Sequence, residues 1–187
     1  FIRMNEFLHD IMPVFHRMPG IGDSKHFQRF NKKYIAAFED GPFQTPRVRY
    51  HRSEGKEGEP HPFLSQYPQD GYFIFRSPEP PAQQLHSIFL HRSFRGPHGH
   101  WDGMSFVCHW HGEPVFIDSG GPYKYSNPMR YKYFQTQLAH NAPIFDRDPV
   151  DLTTQMLGVK TGDDFSAVAL GARMGDGRSW VRIFGQY

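Results

Sequence analysis

Along the first twelve residues, FIRMNEFLHDIM, apolar side chains fall at Phe1, Met4, Leu8, Ile11 and Met12, the spacing of one helical face, and Pro13 blocks continuation. A turn, MPGIGDS, follows at 18–24, where Asp23 or Ser24 can cap a second helix with the stripe Phe27, Phe30, Tyr34, Ile35 and Phe38. That helix is expected to end near Asp40 and Gly41. From 41 to 70 no period is sustained, and the run RSEGKEGEPHP predicts a linker or long surface loop. The pattern then changes to short apolar runs divided by Gly, Pro and Asp: YFIFRS at 72–77, LHSIFLHRS at 85–93, MSFVCHW at 104–110 and PVFIDSG at 114–120. The last two are joined by HGEP, a connection short enough for a hairpin. Further strands are expected at APIFD (142–146), DFSAVALGAR (164–173) and SWVRIFGQY (179–187). Strands at this spacing with tight turns predict a mainly β chain, an antiparallel sandwich or barrel.

Composition narrows this picture only a little. A chain of 187 residues suffices for one domain, or for a small domain attached to a piece of another. The 21 Lys and Arg against 19 Asp and Glu leave a charge of +2, too small to argue for nucleic acid or a membrane surface. Cys108 is the single cysteine, so cysteine usage does not decide the redox compartment. No apolar run approaches the roughly 18 residues of a membrane span. The sequence starts at Phe1 and stops at Tyr187 inside a strand-like run, which reads as a segment of a longer protein. Aromatic residues, 16% of the chain, suit both a sandwich core and the faces of sugar rings.

The chemistry concentrates between His98 and Asn141, which holds HGHWDGMSF, FIDSGGPYKY and AHN. His98 and His100 are two apart, so on extended backbone both leave one face. Asp118 ends an apolar strand where Ser119, Gly120 and Gly121 must turn, and a carboxylate there needs a partner. Two or three imidazoles with a carboxylate are a usual open-site zinc set, so three of His98, His100, Asp118 and His140 can hold a metal while the fourth does chemistry. Asp102 can orient His100 from behind or cap the next turn. His109 and His111, alternating with Cys108 and Trp110, read as a solvated sheet face.

HGHWDGMSF, the strand ending in DSGGPYKY, and then MRYKYF and AHN resemble the central motif of the heparinase II/III-like family of polysaccharide lyases. The resemblance is specific over 98–141, looser over 18–97 through PGIGDS and YFIFRS, and weak beyond 150. It implies terminal helices of an α/α toroid followed by an antiparallel β-sandwich: 1–40 the end of the toroid and its junction, 41–70 a linker, 71–187 an incomplete sandwich. By motif position, His100, Asp118 and His140 match the family's zinc ligands, a bracing site, and His98 a histidine placed at the substrate. Tyr125, or else Tyr123, matches a sandwich tyrosine near the sugar, and Arg130 a family arginine able to grip a carboxylate. AHNA at 139–142 departs from the relatives' AHNT by a hydroxyl.

The implied function is β-elimination on an acidic, uronate-containing polysaccharide by a periplasmic or secreted bacterial enzyme, with glycosaminoglycan, alginate and bacterial exopolysaccharide all open as substrates. Further catalytic residues of the family lie on the toroid outside this sequence, so the segment alone is expected to be inactive. Two competitors remain. A cupin-like metal barrel also uses H-x-H but wants a Glu soon after it, and here Glu113 lies thirteen residues past His100. A non-catalytic carbohydrate-binding sandwich with structural zinc would not need His98 beside a complete ligand set. A glycosidase would want two carboxylates across a cleft, and no such pair stands out.

Overall fold

The computed structural model describes residues 1–24, 41–92, 98–121, 124–146 and 152–187. The expected helix over 24–40, apart from its first residue, lies outside them, as does Tyr123. Helix α1 (Ile2–Ile11) is followed by a 3-10 turn (Gly41–Phe43), α2 (Pro46–Arg52) and eight strands. These are β1 (Leu64–Tyr67), β2 (Tyr72–Arg76), β3 (Leu85–Leu90), β4 (Phe106–Trp110), β5 (Glu113–Phe116), β6 (Thr153–Thr161), β7 (Ser166–Arg173) and β8 (Ser179–Gln186). All pairings are antiparallel between sequence neighbours, giving sheets β1-β2-β3-β4-β5 and β6-β7-β8.

The two-residue period of β2 explains the layering. Phe73 and Phe75 point to one face of the large sheet and Ile74 to the other, and all three are fully buried. On the first face they join Phe89, Val168, Leu170 and Ala172, closing a sandwich against the small sheet. Phe184 of β8 lies 5.1–5.4 Å, ring to ring, from Phe75, Phe89 and Phe106, so the two sheets interdigitate. On the second face Ile74, Ile88, Leu90 and Val107 pack with Ile11, Ile21 and the half-buried Phe7 of the N-terminal segment. The large sheet is therefore a middle layer.

Several expectations need correction. The loop forecast for 41–70 contains α2 and β1. Thr45 caps α2 by accepting from Val48 N, and Pro46 occupies its first turn. Two short elements carry too few positions to reveal a period. APIFD is not a strand. Pro143 has no N–H to offer a ladder, and the Phe145 amide donates instead to the Gln137 side chain at 2.9 Å. β6, nine residues long, was not foreseen: TTQMLGVKT is interrupted by Gly158 and is mostly exposed. His109 is buried, not solvated. His109 shares the face of Val107 and lies directly opposite His86 on β3, the rings 6.2 Å apart, and that face is covered by the N-terminal segment. The HGEP connection is the expected hairpin, with His111 and Gly112 both at positive φ (52° and 73°), a primed turn.

The buried face of α1 is also unlike its apolar stripe. Phe1 and Met4 are exposed, whereas Asn5, His9 and Asp10 are buried. These polar groups enter a network with the large sheet. Asp10 accepts from Tyr67 Oη at 2.5 Å, pairs with Arg76 at 3.2 Å and contacts His61. Its backbone carbonyl accepts from Arg76 and from His86 Nε2 at 2.5 and 2.9 Å. His9 and His51 share a hydrogen bond between their Nδ1 atoms at 3.0 Å.

Candidate functional site

Antiparallel pairing brings the β1–β2 turn, the end of β3, the start of β4 and the end of β5 to one edge of the large sheet. His98 and His100 lie on the β3–β4 connection, Asp118 just past β5, and His140 after a 3-10 turn at Gln137–Ala139. Asn141 fastens this region to the strands, its Nδ2 donating to Phe106 O and Ile117 O at 2.9 Å each. Arg182 of β8 donates to Met104 O and Asn141 O at 2.7 Å, tying the same loops to the other sheet. Both clamps are sequence-distant, and no periodicity reveals them.

Two carboxylates organise the site. Asp118, fully buried, accepts from His140 Nδ1 at 2.5 Å and from Gly120 N at 2.9 Å. Asp23, from the N-terminal segment, accepts from His98 Nδ1 at 2.7 Å, His100 Nε2 at 3.0 Å and Arg130 at 3.2 Å. Gly121 allows this approach: a Cβ there would stand 2.8 Å from Asp23 Cα, and its N–H donates to Ser24 O at 3.2 Å. Burial pushes the Asp23 carboxyl up, but the bonds from His100 and His98 and the charge of Arg130 outweigh it and hold the carboxyl below its usual range.

An ionised carboxylate only accepts, so these bonds assign the tautomers. His100 carries its proton on Nε2 and His140 on Nδ1. The buried lone pairs on His100 Nδ1 and His140 Nε2 then have no hydrogen-bond partner, with the two rings 5.2 Å apart. Such nitrogens are ligands by chemistry, and the Asp118–His140 contact is the carboxylate–imidazole arrangement that tunes metal-binding histidines. As the side chains stand, no group of three or more His, Cys, Asp or Glu among the described residues converges to hold a metal.

His98 differs from its neighbours by exposure: its side chain is 66% accessible and that of His100 is 0%. It faces a cavity of about 300 Å³, also lined by Asp70, His91, Arg92, His100 and Asp102. The Tyr125 ring, exposed, stands 5.5 Å from the His98 ring, and Arg130 lies 4.5 Å over the Tyr125 face. Arg130, expected to grip a carboxylate, grips one belonging to the chain, Asp23. Asp102 neither orients His100 nor caps with its side chain, but pairs with Arg92. The structure thus brings His98, His100, Arg130 and Tyr125 around Asp23, and His140 and Asp118 directly behind. Asp23 was read from sequence only as a helix cap; its single signal was the PGIGDS turn.

Fold and site together define a two-sheet β-sandwich with a histidine and carboxylate cluster where its loops meet an N-terminal helical segment. The model of the family described as heparinase II/III-like, C-terminal, matches residues 60–154, just over half of the chain, and the chain belongs to that family. Among solved structures it is similar to the heparan sulfate lyase HepC from Pedobacter heparinus, with 15% identity and a TM-score of 0.80 over 97% of this chain and 29% of that one. It is also similar to the heparinase III BT4657 gene product, with 16% identity and a TM-score of 0.75 over 98% of this chain and 30% of that one. The chain thus spans less than a third of the length of these proteins. No curated protein matches it in sequence. Among the described residues no helix is long and apolar enough to cross a membrane.

Proposed function

We propose that this chain is the sandwich part of a polysaccharide lyase that cuts an acidic, uronate-containing polysaccharide by β-elimination. Family membership supports the lyase class. The observation that carries the chemistry is the exposed His98, which lines a cavity and stands beside the exposed Tyr125, in front of the buried His100, Asp118 and His140. In the reaction the C5 proton leaves, the C4–O4 bond breaks, a C4–C5 double bond forms and the departing oxygen takes up a proton. With Nδ1–H given to Asp23, the His98 lone pair on Nε2 accepts the C5 proton, and the Tyr125 hydroxyl protonates the leaving oxygen. Arg130 places positive charge against the Tyr125 ring at the substrate-binding edge.

Zinc would be held by His100 and His140, with Asp118, the third residue of the motif's ligand set, either turning from His140 Nδ1 to reach the ion or bracing His140 from behind as it does here. The unspent lone pairs of the two imidazoles support this, and the ion would brace the loops that carry His98 without taking part in a step. The substrate class, and the extracellular or periplasmic position that such a polymer requires, belong to the same proposal.

Full-length protein incubated with uronate polymers is expected to produce ultraviolet absorbance from the conjugated double bond. Reducing ends released without that absorbance would mean hydrolysis and end the lyase reading. Binding with neither signal would favour a carbohydrate-binding sandwich.

A further inference from the structure

We infer that Asp23 is the positioning residue of His98, fixing which imidazole nitrogen meets the substrate; the inference rests on the lyase reading for its catalytic consequence and on geometry alone for the tautomer. An exposed neutral histidine in water favours the Nε2–H tautomer and rotates freely, so an unassisted ring would offer the wrong nitrogen much of the time. Here Asp23 Oδ2 accepts from His98 Nδ1 at 2.7 Å, which places the proton on Nδ1 and leaves the Nε2 lone pair for the substrate. The arrangement matches the logic by which a buried aspartate holds a catalytic histidine in hydrolases, on an unrelated fold.

Three features make Asp23 suited to this. Its carboxylate is itself fixed, since Oδ1 accepts from the fully buried His100 and Oδ2 also from Arg130. The backbone that carries it is pressed against Gly121, so the carboxylate is set by main chain and not by a mobile loop tip. Its negative charge is balanced by the Arg130 guanidinium, which also lies over Tyr125, so one aspartate links the cavity-lining His98 to the tyrosine beside it. The N-terminal segment supplies Asp23 and the sandwich supplies everything it holds, so the tautomer of His98 depends on the two parts being docked.

The test uses full-length protein labelled with ¹⁵N-histidine, with the His98 ring signals assigned by their loss in His98→Gln. At a pH where the ring is neutral, the wild type is expected in the Nδ1–H form. Asp23→Ala should move His98 toward Nε2–H and lower kcat about 10²-fold with KM little changed, a size typical of removing an orienting carboxylate. Asp23→Glu should restore the Nδ1–H form and part of kcat. A wild-type His98 in the Nε2–H form overturns the inference even where Asp23→Ala fails to fold. So does an Asp23→Ala protein that folds and keeps the wild-type tautomer. The ring spectrum needs no substrate, so a protein that turns over no uronate polymer sinks the lyase reading while leaving the positioning role to be judged by tautomer.

Discussion

His98 and His100 share one carboxylate and stand two residues apart, yet one ring is open to a cavity and the other is sealed. This difference separates their substitutions. His98→Ala should cut turnover by about 10²- to 10⁴-fold, the usual range for losing a positioned base, while zinc content and melting temperature stay near wild type. His100→Ala should lower both zinc content and melting temperature, because a buried imidazole is removed from between Asp23 and His140. Metal analysis and thermal unfolding of the two variants check the division, and equal loss of zinc in both would contradict it. At this scale the sequence was informative where a carboxylate ended an apolar run, as at Asp118, and where histidines recurred two apart, as at HGH. It was silent about Asp23, whose partners lie 75 to 107 residues away.

At the scale of elements, the strands with short apolar runs bounded by turn residues were legible: β2, β3, β4, β7 and β8 each appear within a few residues of those runs. Those that failed did so for local reasons, Pro143 in APIFD and Gly158 in β6. Helix α1 was found, and Ile11 and Met12 of its stripe are buried, but Phe1 and Met4 are exposed while Asn5, His9 and Asp10 face inward, because part of the partner surface is polar. Those inward polar groups meet Arg76, Tyr67 and His86 of the large sheet and His61 just before it.

That docking should be sensitive to acid. Burial, with the charges of His61 and Arg52, lowers the His9 pKa to about 4, and burial likewise pushes His51, His61 and His86 below their ordinary 6.5. The unfolded chain therefore binds protons that the folded chain refuses, and stability falls as pH drops below 6.5 and continues to fall through about 4. For His9 alone the loss is on the order of 3 kcal/mol across that window. Burial pushes Asp10 up, but Arg76, His61 and Tyr67 outweigh it and hold its carboxyl well below the usual range, so its contribution is lost only at still lower pH. Denaturant unfolding followed from pH 7 to pH 4 should show this decline, and His9→Gln should flatten it; a flat wild-type profile would contradict the account.

For the whole molecule, the notable fact is that the large sheet is covered on both faces. Phe73, Phe75 and Phe89 face the small sheet, and Ile74, Ile88 and Leu90 face the N-terminal segment. Such strands read as nearly continuous apolar runs, which is why YFIFRS and LHSIFLHRS were the clearest signals in the chain. The loops that hold His98, Asp118 and His140 are attached to this layer through Asn141 and through the backbone bonds of Leu90 with Met104 and Ser105, while Arg182 ties them to the small sheet. Deuterium uptake should therefore divide the protein by time. Backbone amides of β2 and β3 should exchange only through global opening, whereas those of 98–103 and 117–121 should exchange through local excursions that leave the sheet intact. The rim can thus be loosened or rebuilt by substitution while the scaffold beneath it persists.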